Sequence, residues 1–245
     1  MTHNNMTGRR LVVISGAGLS AESGLATFRD AGGIWLQFNL DEVCNYRVWR
    51  RNRAKVFDFY AKRKEEVLAA QPNEAHRCLA HWQAQWGVAR VQLLTQNVDD
   101  LLERAGAKSV LHLHGELTTL LCDNCYRKFH IGPAPIDPKV ACPLCREVEP
   151  VKPGIVMFGE PCPGYHEMGR VLDSLRSEDI LLVIGSSMQV IPVETVVPSW
   201  RLGHELNWQV NPVPADRHYF GRNIAAPASV GLPQLEPLLV QLMSS

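Results

Sequence analysis

Residues 11–30 read LVVISGAGLSAESGLATFRD, and this stretch carries the strongest indication of the fold. Its apolar residues 11–14 predict a short buried strand, and a helix is expected after the glycines that follow. Glycines let backbone N–H groups approach a ligand closely, and a helix N-terminus favours phosphate. The spacing Gly16-x-Gly18-x-x-Ala21 matches the dinucleotide-binding fingerprint with alanine in its third position. Because short glycine-rich turns are common, the pattern needs support from the rest of the chain.

The residues after this stretch differ from those of an ordinary dehydrogenase. There, about 20 residues on, a second strand ends in an acidic residue that binds the ribose. This chain instead has Phe28-Arg29-Asp30-Ala31-Gly32-Gly33, a glycine-bearing loop. The guanidinium of Arg29 suits a diphosphate. The stretch therefore indicates a bound ligand, but it argues against hydride transfer.

The composition argues against several classes of partner. The chain has 245 residues, of which 46% are hydrophobic, and its formal net charge is zero. A neutral balance gives no indication of nucleic acid or of an acidic membrane surface as a partner. No apolar run approaches the length of a membrane span, and residues 1–10 do not resemble a secretory signal. We therefore expect a cytoplasmic protein with no nucleic-acid and no membrane partner.

Apolar runs alternate with helical patterns along most of the chain. Further strands are expected at Val91–Thr95, 110–113, 155–158, Ile180–Ile184 and 206–210, and helices at 47–70, Glu74–Trp86 and 235–243. This alternation predicts an α/β fold with a Rossmann-like, doubly wound parallel sheet.

Polar or glycine residues follow several of these strands directly. They are Gly16, Gln96, Asn97, Asp99, His114, Gly185 and Asn211. Each could be a simple turn residue, but in a doubly wound sheet the ligand lies beyond the carboxyl ends of the strands. Their joint placement at one edge of the sheet indicates a binding site.

Two cysteine pairs predict a metal site. Seven cysteines, an odd number in a chain with a full core, favour a reducing compartment and a metal over disulfides. The spacing Cys122-x2-Cys125 and Cys142-x2-Cys145 is that of a zinc ribbon, and four thiolates leave no open position, so the zinc is expected to be structural. A nucleic-acid-binding ribbon is the alternative, but the cations between the pairs are few: Arg127, Lys128 and Lys139.

Taken together, these motifs resemble the sirtuins, a family of NAD-dependent protein lysine deacylases. The matching elements, in the family's order, are Gly16-Ala17-Gly18-x-Ser20-x-x-Ser23-Gly24, Phe28-Arg29, Gln96-Asn97-Val98-Asp99, His114-Gly115, the cysteine pairs, Phe158-Gly159-Glu160, Gly185-Ser186-Ser187 and Asn211. The resemblance implies a discontinuous Rossmann-type NAD-binding domain (1–33, 73–117 and 151–245). It also implies a small inserted domain with the four-cysteine zinc module (34–72 and 118–150). An acyl-lysine protein or peptide would enter between the domains.

The resemblance also assigns roles at the site. His114 would be the base that takes a proton from the ribose, a task that suits a neutral imidazole. His112, two residues earlier, is its competitor, and His114 is preferred because it adjoins Gly115. Asn97 and Asp99 would line the nicotinamide pocket and complete the catalytic set.

The remaining site residues are carried over in two groups. Cofactor contacts are expected from Gly16, Ala17, Gly18, Ser20, Ser23, Gly24, Phe28, Arg29, Trp35, Gln96, Asn97, Val98, Asp99, Gly185, Ser186, Ser187, Asn211, Pro212, Val213 and Ala228. Substrate contacts are expected from Tyr60, Arg63, Val156, Met157, Phe158, Gly159 and Glu160. The extended backbone of residues 156–160 would receive the peptide as an added strand.

One pair of residues bears on the acyl group. Tyr60 and Arg63 are three apart on a predicted helix and share a face. In the sirtuin class that removes succinyl, malonyl or glutaryl groups, a Tyr-x-x-Arg pair binds the distal carboxylate, which an arginine fork suits. The helix is basic throughout, so the pair could also be a coincidence. Cys44 takes a position where that class has alanine, which leaves the accepted acyl size open.

Three functions are therefore weighed. The first is a protein-lysine deacylase that favours succinyl and malonyl over acetyl groups and releases nicotinamide and O-acyl-ADP-ribose. The second is ADP-ribose transfer to protein from the same NAD site. The third is a non-enzymatic zinc-ribbon binding module, against which Asn97, Asp99 and His114 argue.

Overall fold

The computed structural model describes residues 8–26, 38–147, 151–214 and 218–244. Three expected cofactor contacts, Phe28, Arg29 and Trp35, lie outside the described residues. The strands are β1 (Leu11–Ser15), β2 (Val91–Thr95), β3 (Val110–His112), β4 (Gly115–Cys122), β5 (Lys128–His130), β6 (Val151–Ile155), β7 (Ile180–Ile184), β8 (Asn207–Val210) and β9 (Arg222–Ile224). The α-helices are α1 (Leu40–Val43), α2 (Arg53–Ala69), α3 (Glu74–Trp86), α4 (Leu101–Arg104), α5 (Pro163–Asp173), α6 (Val193–Val196) and α7 (Ala228–Ser244).

Six strands form the predicted parallel sheet, in the order β3-β2-β1-β7-β8-β9. Strand β1 is central, and its side chains alternate between two cores. Leu11 and Val13 pack with α3 and α7 on one face, whereas Val12 and Ile14 pack with α5 on the other. Helices on both faces explain the continuous apolar runs in the sequence and confirm the doubly wound fold.

A second sheet is antiparallel, with the order β5-β4-β6. It shares a separate core with α2, to which Val56, Phe59 and Leu120 contribute. This sheet contains β6, although the sequence assigns residues from 151 onward to the Rossmann-type domain. The division of the chain into two domains remains a prediction, and β6 pairs with β4 in the small sheet although it follows residue 150.

Several element boundaries differ from those expected. Helix α2 begins at Arg53 and not at residue 47, because Tyr46 N donates to Phe158 O and residues 45 and 158 form a bridge. That bridge replaces the expected strand at 155–158. Helix α7 begins earlier than expected, at Ala228. Strands β4, β5 and β9 were not predicted, because they are too short or too irregular to give a clear pattern of apolar residues.

The expected helix after the glycines is wrong. The chain forms two 3₁₀ turns of three residues each, Ala17–Leu19 and Ala21–Ser23, and the second ends at Gly24 with a left-handed φ of 87°. The reason is tertiary, because the first turn packs against the loop that follows β7. In the part of the chain that the structure describes, no helix is long and apolar enough to cross a membrane.

Candidate active site

The loops that follow β1 and β7 contact each other through glycines. Gly18 N donates to Gly185 O at 2.9 Å. A Cβ atom on Gly18 would lie 2.7 Å from Gly185 Cα, and Gly185 itself has a φ of +57°. Larger side chains would force the loops apart. The two loops therefore need these glycines in order to pack together. This requirement is separate from the approach of a ligand to the backbone.

Side chains tie three strand ends together at this edge. Gln96 Nε2, after β2, donates to Ser186 Oγ at 3.1 Å, and Asn211 Nδ2, after β8, donates to Ser186 O at 2.7 Å. Residues from three separate strands thus meet at the carboxyl edge, as the sequence predicted.

A buried polar cluster lies beside this edge and centres on Ser20. Its hydroxyl donates to Asp99 Oδ2 at 2.9 Å and accepts from Asn97 Nδ2 at 3.0 Å. Burial raises the pKa of Asp99, while hydrogen bonds from Ser20 and the Leu101 backbone oppose the rise. The cluster brings two of the three expected catalytic residues into one hydrogen-bonded group.

His76, on α3, completes the cluster, and the sequence reasoning missed it. Asn73 N donates to His76 Nδ1 at 3.2 Å in a capping box, so the proton of the neutral ring resides on Nε2. Nε2 then donates to Ser20 Oγ at 3.3 Å. Burial lowers the pKa of His76 to about 4, so the ring is neutral near pH 7. The signal in the sequence was Asn73-x-x-His76 at a helix start.

The two candidate histidines have different hydrogen-bond partners. His112 Nδ1 faces Asn97 O at 3.1 Å and its Nε2 faces Glu103 Oε1 at 3.0 Å. Both partners are acceptors. Burial lowers the pKa of His112, but Glu103 and Glu116 outweigh it and raise the pKa overall. An imidazole that donates from both nitrogens is a cation and offers no lone pair to a proton.

His114 retains a basic nitrogen. Its Nδ1 lies 3.0 Å from Gln96 O and its Nε2 lies 2.9 Å from the hydroxyl of Tyr165. Burial lowers the pKa of His114, and the bond to Gln96 only partly opposes the change. The geometry therefore favours His114 over His112 as a base.

The Tyr60 and Arg63 side chains both lie buried on one face of α2. Tyr60 Oη donates to Cys44 Sγ at 3.5 Å, and burial raises the pKa of this thiol to about 11. Arg63 Nη1 lies 2.7 Å from Glu66 Oε2, and its Nη2 donates to Ala26 O at 3.2 Å. The positive charge of Arg63 also lowers the pKa of Asp99 slightly, against the larger effect of burial.

The stretch expected to receive a peptide already uses its backbone donors. Val156 N donates to His114 O, Phe158 N to Cys44 O, and Met157 N to Glu160 Oε2. Glu160 also pairs with the buried Lys152. The side chain of Phe158 is 52% exposed. A peptide added here must therefore be received by carbonyl oxygens or by the residues after Phe158.

The four paired cysteines converge as predicted. Their sulfur atoms all lie within 4.8 Å of one another. Two similar turns present them, since Tyr126 N donates to Cys122 O and Arg146 N donates to Cys142 O. Four convergent thiols fit a structural zinc ion, which four thiolates bind tetrahedrally.

The other expected contacts fall into three groups. The hydroxyl of Ser23 is buried and has no hydrogen-bond partner among the described residues, and Gly24 adjoins it. Ser187, Pro212 and Val213 are exposed in the loops after β7 and β8. Val98 and Ala228 are at least half-buried, in the loop after β2 and at the start of α7, and Ala17 is half-buried in the first 3₁₀ turn.

Comparisons with known proteins agree with this geometry. The chain is 40% identical over 256 aligned positions to a Helicobacter hepaticus protein named NAD-dependent protein deacylase, covering 96% of this chain and 99% of that one. It is 37% identical over 239 positions to a Caulobacter vibrioides protein of the same name, covering 95% and 98%. A Sir2 homologue solved as an NAD complex matches with a TM-score of 0.79 and 30% identity, covering 97% of this chain and 91% of that one.

A family model decides the classification. The model described as the Sir2 family matches residues 16–192, a span that contains the glycine loops, His114 and the cysteine cluster. This chain therefore belongs to the Sir2 family.

Proposed function

We propose that this protein is an NAD-dependent protein-lysine deacylase. The observation that carries the proposal is that a buried Ser20–Asn97–Asp99 cluster and His114, which bonds to the adjacent Gln96 O, both lie at the carboxyl edge of a parallel sheet. Its relatives in Helicobacter hepaticus and Caulobacter vibrioides bear the name of this activity. In doubly wound sheets, that edge is where ligands bind.

The residues present fit a dinucleotide. The buried hydroxyl of Ser23 lacks a partner among the described residues, beside the glycine loops, and a ligand group would satisfy it. NAD, when bound, supplies a nicotinamide leaving group and the ribose that receives the acyl group. Asn97 and Asp99 would orient the carboxamide of nicotinamide. His114 Nε2 would accept a proton from a ribose hydroxyl.

The zinc ion would have a structural role in this scheme. Cys122, Cys125, Cys142 and Cys145 would fill all four positions of a tetrahedral ion and leave none for a reactant. Cys122 and Cys142 are fully buried in the core that α2 shares with the small sheet. The metal would therefore stabilise this core.

We further propose that the enzyme prefers acidic acyl groups, namely succinyl and malonyl and to some extent glutaryl, over acetyl. The buried Tyr60 and Arg63 supply a phenol and a guanidinium on the same helix face. A buried guanidinium suits a carboxylate far better than it suits a methyl group. An incoming carboxylate would compete with Glu66 for Arg63 and with Cys44 for Tyr60.

The test is a turnover comparison on one peptide that carries acetyl-, malonyl-, succinyl- or glutaryl-lysine. We expect NAD-dependent release of nicotinamide and O-acyl-ADP-ribose, with kcat/KM highest for the acidic groups. Nicotinamide release with ADP-ribose attached to a protein would instead support the transferase. No NAD turnover with any acyl peptide would overturn the proposal and favour a binding module. Equal rates for acetyl and succinyl groups would overturn only the acyl preference.

A further inference from the structure

Tyr165, in the first turn of α5, lies directly against His114. The tyrosine oxygen is 2.9 Å from His114 Nε2, and the two rings meet edge to face with centroids 5.7 Å apart. No motif in the sequence pointed to this tyrosine. The contact involves the very nitrogen that the proposed function needs as a base.

The direction of this hydrogen bond follows from the partners. Gln96 O only accepts, so His114 Nδ1 carries the proton of the neutral ring. Nε2 therefore holds the lone pair, and the Tyr165 hydroxyl donates to it. Both ring nitrogens are thus held, which fixes the tautomer and the ring plane at once.

The protein backbone holds Tyr165 in place. Tyr165 N donates to Cys162 O at 3.1 Å, and Cys162 Sγ donates to Leu113 O at 3.0 Å. At Gly164 a Cβ atom would lie 2.9 Å from Leu113 Cα, so the start of α5 packs closely on the turn that carries His114. These contacts fix the position of Tyr165 relative to His114.

We propose that Tyr165 is a positioning residue that holds the imidazole ring of His114 in place and favours its neutral form. This inference rests on the proposed function for its catalytic meaning. A donor to the unprotonated nitrogen stabilises the neutral form and opposes protonation. At the reaction step the substrate hydroxyl takes the place of the Tyr165 hydroxyl at Nε2. When the substrate O–H bond breaks, its proton forms the Nε2–H bond and its electron pair stays on the substrate oxygen.

The groups around Tyr165 and His114 are consistent with a hydrogen bond donated by Tyr165 to His114. Burial raises the pKa of Tyr165 and that of Cys162, so both stay protonated near pH 7. The charges of Glu160 and Lys128 act on Cys162. On the flanking turn and loop, His112 is paired with Glu103 and Asp99 with Ser20.

The first test measures the His114 titration by NMR in the free protein, without NAD or peptide. In Tyr165→Phe, which keeps the ring, we expect the pKa of His114 to rise by about 0.5 to 1 unit, since one hydrogen bond to the neutral form is lost. Tyr219→Phe, whose hydroxyl binds Glu194 away from His114, is the matched control and should not shift it. An unchanged pKa in Tyr165→Phe would overturn the inference whether or not the protein is a deacylase.

The second test uses turnover of the preferred acyl peptide. Tyr165→Phe should lower kcat about 3- to 10-fold with little change in KM, and move the acidic limb of the kcat/KM profile to higher pH. Tyr165→Gln, which returns a donor, should recover part of the loss, whereas Tyr165→Leu should not. A wild-type pH profile in Tyr165→Phe, or equal losses in the Gln and Leu variants, would contradict the positioning role. If Tyr165→Phe does not fold, the Gln and Leu pair decides by the same NMR and kinetic measurements.

Discussion

The ammonium nitrogen of Lys152 lies 3.0 Å from Oε2 of Glu160, and their side chains are 0% and 9% exposed. The same carboxylate oxygen accepts from Met157 N at 2.9 Å, and Lys152 Nζ also donates to Ile155 O at 2.6 Å. This buried ion pair therefore fixes the backbone between β6 and the exposed Phe158, where the substrate peptide is proposed to bind.

Replacing Glu160 should destabilise the fold, because an unpaired ammonium would stay buried. For Glu160→Gln we expect a loss of about 3 kcal/mol in the free energy of unfolding, as for other broken buried pairs. Urea denaturation measures it. Asp58→Asn, which breaks the exposed Lys62–Asp58 pair, is the control and should cost under about 1 kcal/mol. Similar losses in the two variants would contradict the structural role of the buried pair.

Stability in acid should depend on Asp179, which is fully buried at the start of β7. Burial alone would raise its pKa, but hydrogen bonds from Arg176 and Arg10 hold the pKa well below the usual range. The stabilisation is therefore complete above about pH 4, the pKa of an unfolded aspartate, and is lost as pH falls further.

Urea midpoints between pH 5 and pH 2 test this dependence. The wild-type midpoint should fall steeply below about pH 4. Asp179→Asn should be less stable at pH 7 and should show a flatter curve in the acid range. The exposed Asp173→Asn should behave like wild type. An acid slope in Asp179→Asn as steep as that of wild type would show that other carboxyls dominate.

Arg63→Met should separate acidic from neutral acyl groups. The variant keeps an apolar side chain of similar length but loses the charge-assisted bonds to a carboxylate. We expect kcat/KM for a succinyl peptide to fall about 10- to 100-fold, and that for an acetyl peptide to change little. Lys62→Met, at the neighbouring and half-exposed position, should change neither. Parallel losses on both substrates would count against a carboxylate contact.

The cysteine cluster should bind one zinc ion per chain. Cys142→Ser should lose the metal, because it removes one of the four thiolate ligands. The melting temperature should fall as well, since Cys142 is fully buried and metal binding contributes to folding stability. Cys162→Ser is the matched control, since Cys162 lies outside the cluster and serine still donates to Leu113 O. Metal analysis of both proteins decides. Retention of zinc by Cys142→Ser would argue for a different ligand set.

His114→Tyr should abolish turnover and leave zinc content unchanged. Loss of a general base lowers kcat about 100-fold or more. His81→Tyr, at an exposed position on α3, controls for a general effect of the substitution. An active His114→Tyr enzyme would mean that another group takes the proton, and His112→Gln would then be the next variant to assay.

The residues that sequence reasoning placed well are those whose signal is local. An apolar run such as Ile180–Ile184 predicts a strand whatever its neighbours in the fold are. Two Cys-x2-Cys pairs likewise predict a metal site independently of the tertiary contacts around them. The expected helix after Gly18 failed because the loop packs against Gly185, far along the chain. Likewise, α2 begins late because Tyr46 bonds to Phe158.

By itself, the sequence determined the parallel sheet, the glycine loops, the cysteine cluster and the family, since each depends on residues close together in the chain. Only the tertiary structure distinguished His112 from His114 by their hydrogen-bond partners, and it alone placed His76 beside Ser20 and Tyr165 beside His114. Those assignments depend on which atom faces each ring nitrogen. Tyr165 and Gln96 lie 51 and 18 residues from His114, and only folding brings them to it.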